Sequence, residues 1–401
     1  MTQIIRLPAR CALVAAGVAA MLACPPTASA AEACVNPASW VVPTSDAPQR
    51  RDPKTLFAEL AKRPVVLLGE SHDNAEHHRW QLHTLAALHA LHPNLVLGFE
   101  MFPRRVQAAL DRWVAGELTV EAFLQRSEWN RVWGFDAELY LPIFHFARMH
   151  RVPMIALNVE RSLVARVGDA GWASIPPSER EGVTDPAPPS ARYRERLYES
   201  YLAHLPKEHP ARSRTEPDYA DPAYLRFVES MQVWDRAMAQ AIAQQRSAAN
   251  PPLVVGIMGS GHLQDSFGVP HQLRDLGVED AAVLLPWDAD EDCDALTLGL
   301  ADAVFGVAAV APTTPVRPRL GVMLDDSSGS VVIRDVIKDS VADHAGARSG
   351  DVVVTVAGVP ARKTSDVIDA VRRQAPGTWL PMTVKRGAES VELVARFPPT
   401  P

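Results

Sequence analysis

The chain has 401 residues, 47% hydrophobic and 22% charged, with a formal net charge of −7. That length sets an expectation of two or three domains, and the composition is that of a globular protein with a real core, which excludes a wholly disordered chain or a fibre. An acidic chain with no basic patch interleaved with aromatics has no electrostatic footprint for nucleic acid, and 34 prolines against 22 glycines point to many loops or stiff connections.

Residues 1–30 read as an export signal. Arg6 and Arg10 precede an apolar run over 11–23, followed by Pro25, Pro26 and the small residues Ala28-Ser29-Ala30, which is the layout of a cleavable secretory leader. The run falls short of the roughly 20 residues that a spanning helix needs. Cleavage after Ala30 removes two arginines and no acid, leaves a charge of −9, and implies a periplasmic or secreted protein. The alternative is Met21-Leu22-Ala23-Cys24 as a lipobox, which would anchor the protein to a membrane through a lipid on Cys24; methionine fits the first position of that box poorly, so simple cleavage is favoured. Cys34 and Cys293 then remain, and two cysteines in an oxidising compartment can pair.

Short apolar runs follow at 65–68, 95–99, 154–157, 253–257 and 281–285, with no polar alternation, as expected of strands buried on both faces. Amphipathic stretches at 76–91, 104–115 and 137–150 separate them. Strand and helix in alternation predict an α/β fold, a parallel sheet flanked by helices. Residues 172–224 interrupt the rhythm with proline-rich loops and a short helix over 191–204, a helical insertion suited to a lid or binding surface. A long helix over 221–245 carries Phe227, Met231, Trp234 and Met238 at core spacing. A Pro-containing linker over 301–317 leads to a small β-rich unit with strands at 320–324, 331–333, 350–358 and 379–385 and a helix over 365–374.

Chemistry is expected where the strands end. The first ends in Gly69-Glu70-Ser71-His72, the second in Glu100, the third in Asn158 with Glu160 beyond, the fourth in Gly259-Ser260-Gly261-His262. Ligands of open α/β sheets bind outside the carboxyl ends of the strands, so Glu70, His72, Glu100 and His262 are expected to share one rim. Two histidines and two carboxylates suit a divalent metal ion or, in an enzyme, acid–base catalysis by the same four residues. Of the six histidines between His72 and His92, no more than two are expected near a site. No Gly-x-Ser-x-Gly nucleophile elbow, phosphate loop or Cys-x-x-Cys is present.

Two family resemblances rest on these residues. Leu320-Gly321-Val322, the turn 345–351 and the helix at 367–373 resemble a PDZ domain over 318–397, which implies that a peptide or protein C-terminus adds as a strand beside Leu320, Gly321 and Val322. The segments Val66-Leu67-Leu68-Gly69-Glu70-Ser71-His72-Asp73-Asn74, Phe99-Glu100-Met101-Phe102, Trp133-Gly134-Phe135, Tyr140-Leu141-Pro142-Ile143, 232–239 and Gly259-Ser260-Gly261-His262-Leu263 resemble, in order, the ChaN family of haem-binding uptake proteins, within a wider Tiki and erythromycin-esterase group. This resemblance implies a ChaN-like haem-binding domain over 50–300, iron or haem uptake, a tyrosine ligand to the haem iron, and a homodimer enclosing two haems. The haem candidates are Tyr193, Tyr198, Tyr201 and Tyr224, with His204 on the helical face of Tyr201. Tyr140 is expected to be structural, its hydroxyl bonded near the third strand end. The reading is an exported haem-binding protein with a recruiting PDZ module; the alternative is a metal-dependent or acid–base hydrolase related to the same group.

Overall fold

The computed structural model describes residues 34–214, 216–247, 249–309 and 318–399, so the stretches read as an export signal or, alternatively, a lipobox lie outside the described residues. The described residues fall into two compact units, one up to residue 309 and one from residue 318.

Eight strands form the sheet of the first unit: β1 (Trp40–Val42), β2 (Gln49–Arg51), β3 (Val65–Leu68), β4 (Leu95–Pro103), β5 (Met154–Asn158), β6 (Leu253–Ile257), β7 (Ala281–Asp288) and β8 (Ala303–Val307). Their order is β2-β1-β8-β7-β3-β6-β4-β5. Every pairing from β8 to β5 is parallel, while β1 and β2 add antiparallel at one edge. The five apolar runs are five of the parallel strands. Val66, Leu68, Leu97 and Phe99 face one core, under the helices Ala75–Leu91 and Leu141–His150. Val65, Leu67, Val254 and Val283 face the other, under Pro222–Gln245 and Val269–Asp275. Each such Val or Leu contributes about 1.5–3 kcal/mol by leaving water, which is why runs without alternation settle at the centre of the sheet.

The expected linker is shorter than 301–317. Ala303–Val307 is a strand, paired with β7 at Trp287↔Gly306 and with β1 at Trp40↔Phe305. Its five residues are half-hidden in the sequence by the prolines that follow, but their apolar character buries them between two neighbours. The remainder of that linker, 310–317, lies outside the described residues. With β1 ahead of it and β8 behind, the first unit reaches beyond 50–300 at both ends.

The second unit is an antiparallel sheet of β9 (Val322–Asp325), β10 (Val331–Val336), β11 (Val352–Val356), β12 (Val359–Pro360), β13 (Trp379–Arg386) and β14 (Glu389–Arg396). The order is β14-β13-β11-β10-β9, with β12 on β11. Val331, Ile333, Val353 and Val384 form its core with Val367 and Val371 of the helix Thr364–Arg372. β14, which the sequence reading did not foresee, pairs with β13 along its whole length. β9 ends the sheet and keeps one edge open. Among the described residues no helix is long and apolar enough to cross a membrane.

Candidate functional site

At the carboxyl ends of β3, β4 and β6 the structure brings Glu70, His72, Glu100 and His262 together. Glu70 and Glu100 are buried, and His72 retains partial exposure. His72 Nδ1 lies 2.8 Å from Glu70 Oε1. The Gly259 N–H donates to Glu100 Oε2 at 2.6 Å, and His262 Nε2 lies 3.5 Å from Glu100 Oε1. Gly259 sits close to its neighbours: a Cβ there would meet His72 Cε1 at 3.0 Å, a tight contact, and Glu100 Oε2 at 3.6 Å. Glycine therefore lets the His72 ring lie across the end of β6 towards Glu100.

A second layer holds each pair. His262 Nδ1 is 2.6 Å from Asp235 Oδ1, and the Tyr193 hydroxyl donates to Asp235 Oδ2 at 2.6 Å. The Tyr140 hydroxyl donates to Glu70 Oε1 at 2.6 Å and Gln81 Nε2 to Glu70 Oε2 at 2.9 Å. Tyr140 thus serves the first strand end rather than the third, because its helix packs on Ala75–Leu91, which starts there. Three of the six histidines gather at this end. His77 Nδ1 accepts from the Ser71 N–H at 2.9 Å, and His78 Nε2 lies 3.2 Å from the His72 carbonyl. Trp133 and Phe135 pack on the His72 ring at 4.5 and 5.3 Å between centroids, and Trp234 on His262 at 5.5 Å. Asn158 donates to the Glu100 carbonyl at 2.9 Å, while Glu160 turns away to an ion pair with Arg105.

Burial alone would raise the Glu100 carboxyl, but the His262 charge and hydrogen bond bring it down to about 2. Burial likewise works against a charged His262, yet Glu100 and Asp235 lift it to about 10. The pair is a fixed ion pair at neutral pH. His72 is raised too, against its burial, by the bond to Glu70 and the Glu100 charge. Burial pushes His77 down, leaving a neutral ring beside Asp288.

Two expectations from the sequence can be set beside the geometry here. Among the described residues no group of three or more His, Cys, Asp or Glu side chains is placed to hold a metal ion, so the divalent-metal expectation at Glu70, His72, Glu100 and His262 gains no support here. Glu70 and Glu100 accept from Tyr140, Gln81 and Gly259 as well as facing His72 and His262. The insertion phenols are also mostly spent. Tyr193, Tyr198, Tyr201 and Tyr224 are buried in one cluster with Val228. Tyr193 is bonded to Asp235, Tyr198 accepts from the Asp218 N–H at 3.1 Å, and Tyr224 donates to the Arg194 carbonyl. Tyr201 makes no hydrogen bond among the described residues, and burial raises its pKa. His204, exposed, has Nδ1 at 2.7 Å from the Ser200 carbonyl.

One more tyrosine, Tyr219, lies beside this cluster and was not among the candidates. It is 43% exposed and packs edge-on against Tyr198 at 5.3 Å. The signal was present in Pro217-Asp218-Tyr219-Ala220-Asp221-Pro222, where a phenol between polar and proline residues belongs to an exposed loop. A separate cavity of about 350 Å³ beside the two glycine motifs is lined by Ser71, Ser260, His77, Arg196, Asp288 and Glu291. Burial and Asp288 raise Glu291 there.

In the second unit, Gly321 has φ +81° and its position leaves no room for a side chain against Ser340. The Gly321 carbonyl accepts from the Ile337 N–H at 2.9 Å and the Leu320 carbonyl from the Ala342 N–H at 2.8 Å. Their own N–H groups have no acceptor among the described residues, and they lead into the open edge of β9.

Comparison with known proteins sets these features in context. The family model described as "Haem-binding uptake, Tiki superfamily, ChaN" matches residues 56–273, and the PDZ domain model matches 318–395. A solved structure titled "Cofacial heme binding to ChaN of Campylobacter jejuni" is similar with a TM-score of 0.52 and 19% identity, covering 66% of this chain and 95% of that one. Serine protease HTRA1 of Xenopus tropicalis is 32% identical over 69 residues, which are 17% of this chain and 14% of that protein's length. The HtrA3 PDZ domain bound to a phage-derived ligand is 22% identical, with a TM-score of 0.18, covering 20% of this chain and 82% of that one.

Proposed function

The chain belongs to the ChaN family of haem-binding uptake proteins, in the Tiki superfamily, and from that premise we propose that it is exported, binds ferric haem at its helical insertion as a homodimer, and recruits a peptide or protein partner through its PDZ domain. Haem, when bound, supplies a ferric iron for which a phenolate oxygen is a suitable hard donor. The observation that carries the placement is Tyr219. Burial works against a phenolate at Tyr193 and Tyr201, and at Tyr224, which it pushes up to about 12. Tyr219 instead offers its ring to solvent from a loop braced on Tyr198, where a flat ligand can reach it. The cavity beside the glycine motifs suits a macrocycle poorly, because carboxylates and polar groups dominate its wall. The cofacial haems named for the Campylobacter protein support a dimer that covers an exposed haem from both sides.

Titration of the full chain with ferric haem tests this. Tyr219→Phe is expected to abolish the phenolate-to-iron charge-transfer band and weaken binding at least tenfold, with Tyr201→Phe as the control that retains both. Equal spectra for Tyr219→Phe and the unaltered protein would place the ligand elsewhere.

A hydrolase at the strand-end rim is the second reading. Acid–base catalysis needs a group that titrates near the working pH; Glu100 at about 2 and His262 at about 10 hold their charges across the neutral range, which leaves that role to the partly exposed His72, raised from 6.5 beside Glu70. For the PDZ unit, the unpartnered N–H groups of Leu320 and Gly321 at the head of an open strand edge support capture of a C-terminal carboxylate with strand addition along β9.

A further inference from the structure

We propose that Cys34 and Cys293 are joined by a disulfide in the mature protein, a covalent clasp between the segment leading into β1 and the turn that follows β7. Both sites are positioned by contacts that involve no sulfur. The Ala38 N–H donates to the Gly306 carbonyl at 2.8 Å and the Gly306 N–H to the Ser39 carbonyl at 3.0 Å, which fastens the chain ahead of β1 onto β8. Val35 is buried with Trp287, Leu296 and Leu300, and Cys34 packs against the same cluster. From the other direction, Cys293 opens the turn Cys293–Ala295, capped by Asp292, whose carboxylate accepts from the Asp294 N–H at 3.0 Å. Three residues later Leu296 enters that cluster. The segment that carries Cys34 and the turn that carries Cys293 thus converge on one cluster, with the two cysteines as neighbours. Both are free in this structure. Side chains already side by side meet the first requirement for bridging, which separated or diverging cysteines do not.

The difference in exposure sets the order of the chemistry. Cys293 is exposed, whereas Cys34 is half-buried and its thiol is pushed up by burial and by its neighbour. The Cys293 thiolate attacks one sulfur of a small external disulfide such as oxidised glutathione, which expels one thiol and leaves a mixed disulfide. The Cys34 thiolate then attacks the Cys293 sulfur and expels the second thiol. Two protein thiols are oxidised, and the external disulfide takes up two electrons and two protons to become two thiols. The product secures β1, only three residues long, at the antiparallel edge of the sheet. It persists only where thiols are not kept reduced.

The test oxidises the purified full chain with oxidised glutathione, alkylates under denaturing conditions, and maps the product after a glutamate-specific digest. Cleavage after Glu32 separates Cys34 from Cys11 and Cys24. The expected result is one cross-linked peptide joining residues 34 and 293, freed by reductant. Cys34→Ser or Cys293→Ser is expected to leave the other thiol open to alkylation. Reductant is expected to lower the Tm of the unaltered protein and leave that of the double Ser variant unchanged. If Cys34 and Cys293 are both alkylated after oxidation, or each is linked to another cysteine, the proposal is overturned; the peptide map of the unaltered protein decides this even if a variant fails to fold.

Discussion

Replacing Glu100 by Gln keeps the side chain's shape and its acceptor for the Gly259 N–H but removes the charge that faces His262 at 3.5 Å. The fall of the Glu100 carboxyl from 4.5 to about 2 corresponds to roughly 3 kcal/mol at neutral pH, from 1.36 kcal/mol per tenfold. The rise of His262 from 6.5 to about 10 reports largely the same attraction and is not added to it. Removing one partner of a buried pair typically costs about 3–5 kcal/mol, which agrees. The carboxyl is depressed on folding, so its contribution is present above 4.5 and is lost as the pH falls through about 2. The imidazole is raised on folding, so its contribution is present below 6.5 and is lost as the pH rises through about 10. Thermal unfolding followed by circular dichroism over roughly pH 3 to 10 checks this. Near pH 6 the Gln variant is expected to melt about 6–12 °C lower than the unaltered protein, and the gap should close towards both ends of the range. A deficit equal at every pH would mean that packing or the Gly259 bond, not charge, is at work. No deficit at all would remove the ion pair from the account.

The PDZ unit yields two further expectations, both measured in the full chain. Gly321→Ala places a methyl group against Ser340 at a φ of +81° and is expected to cost about 1–2 kcal/mol through the left-handed backbone alone; titration with a peptide ending in a free apolar residue should show binding lost, and an unchanged Kd would clear this loop of a role in recognition. Asp351 accepts from Arg386 Nε and Nη2 at 2.8 Å each, bonds that hold its carboxyl below the ordinary range. Asp351→Asn is expected to destabilise the second unit by about 2 kcal/mol near pH 7, and because the carboxyl is depressed on folding, the difference should fade as the pH drops below its ordinary value of 3.8. A calorimetric transition that does not move would contradict it.

What could be read from the sequence, and what could not, follows from the range of the interactions. The parallel strands were legible because a run such as Val65-Val66-Leu67-Leu68 has one low-energy place, the middle of a covered sheet. The rim followed from topology, since the residues after parallel strands must emerge at one end. β1, β2 and β14 were not legible, because three-residue strands and a hairpin's second strand owe their conformation to a partner more than to their own pattern. The second layer of the site was partly legible. Asp235 lies on the helical face of Val228, Ala239 and Ile242, all buried, and a carboxylate on an apolar stripe demands a buried partner; the sequence offers that demand but not the identity of His262 and Tyr193 as its answer. The tyrosines show the converse. Tyr193, Tyr198 and Tyr201 cluster on a helix, and helical spacing on one face is what buries their rings together. Tyr219, exposed where the others are buried, belongs to no such periodicity. In this fold, order in the pattern marks side chains committed to packing, and chemistry open to a ligand is better sought where the pattern breaks.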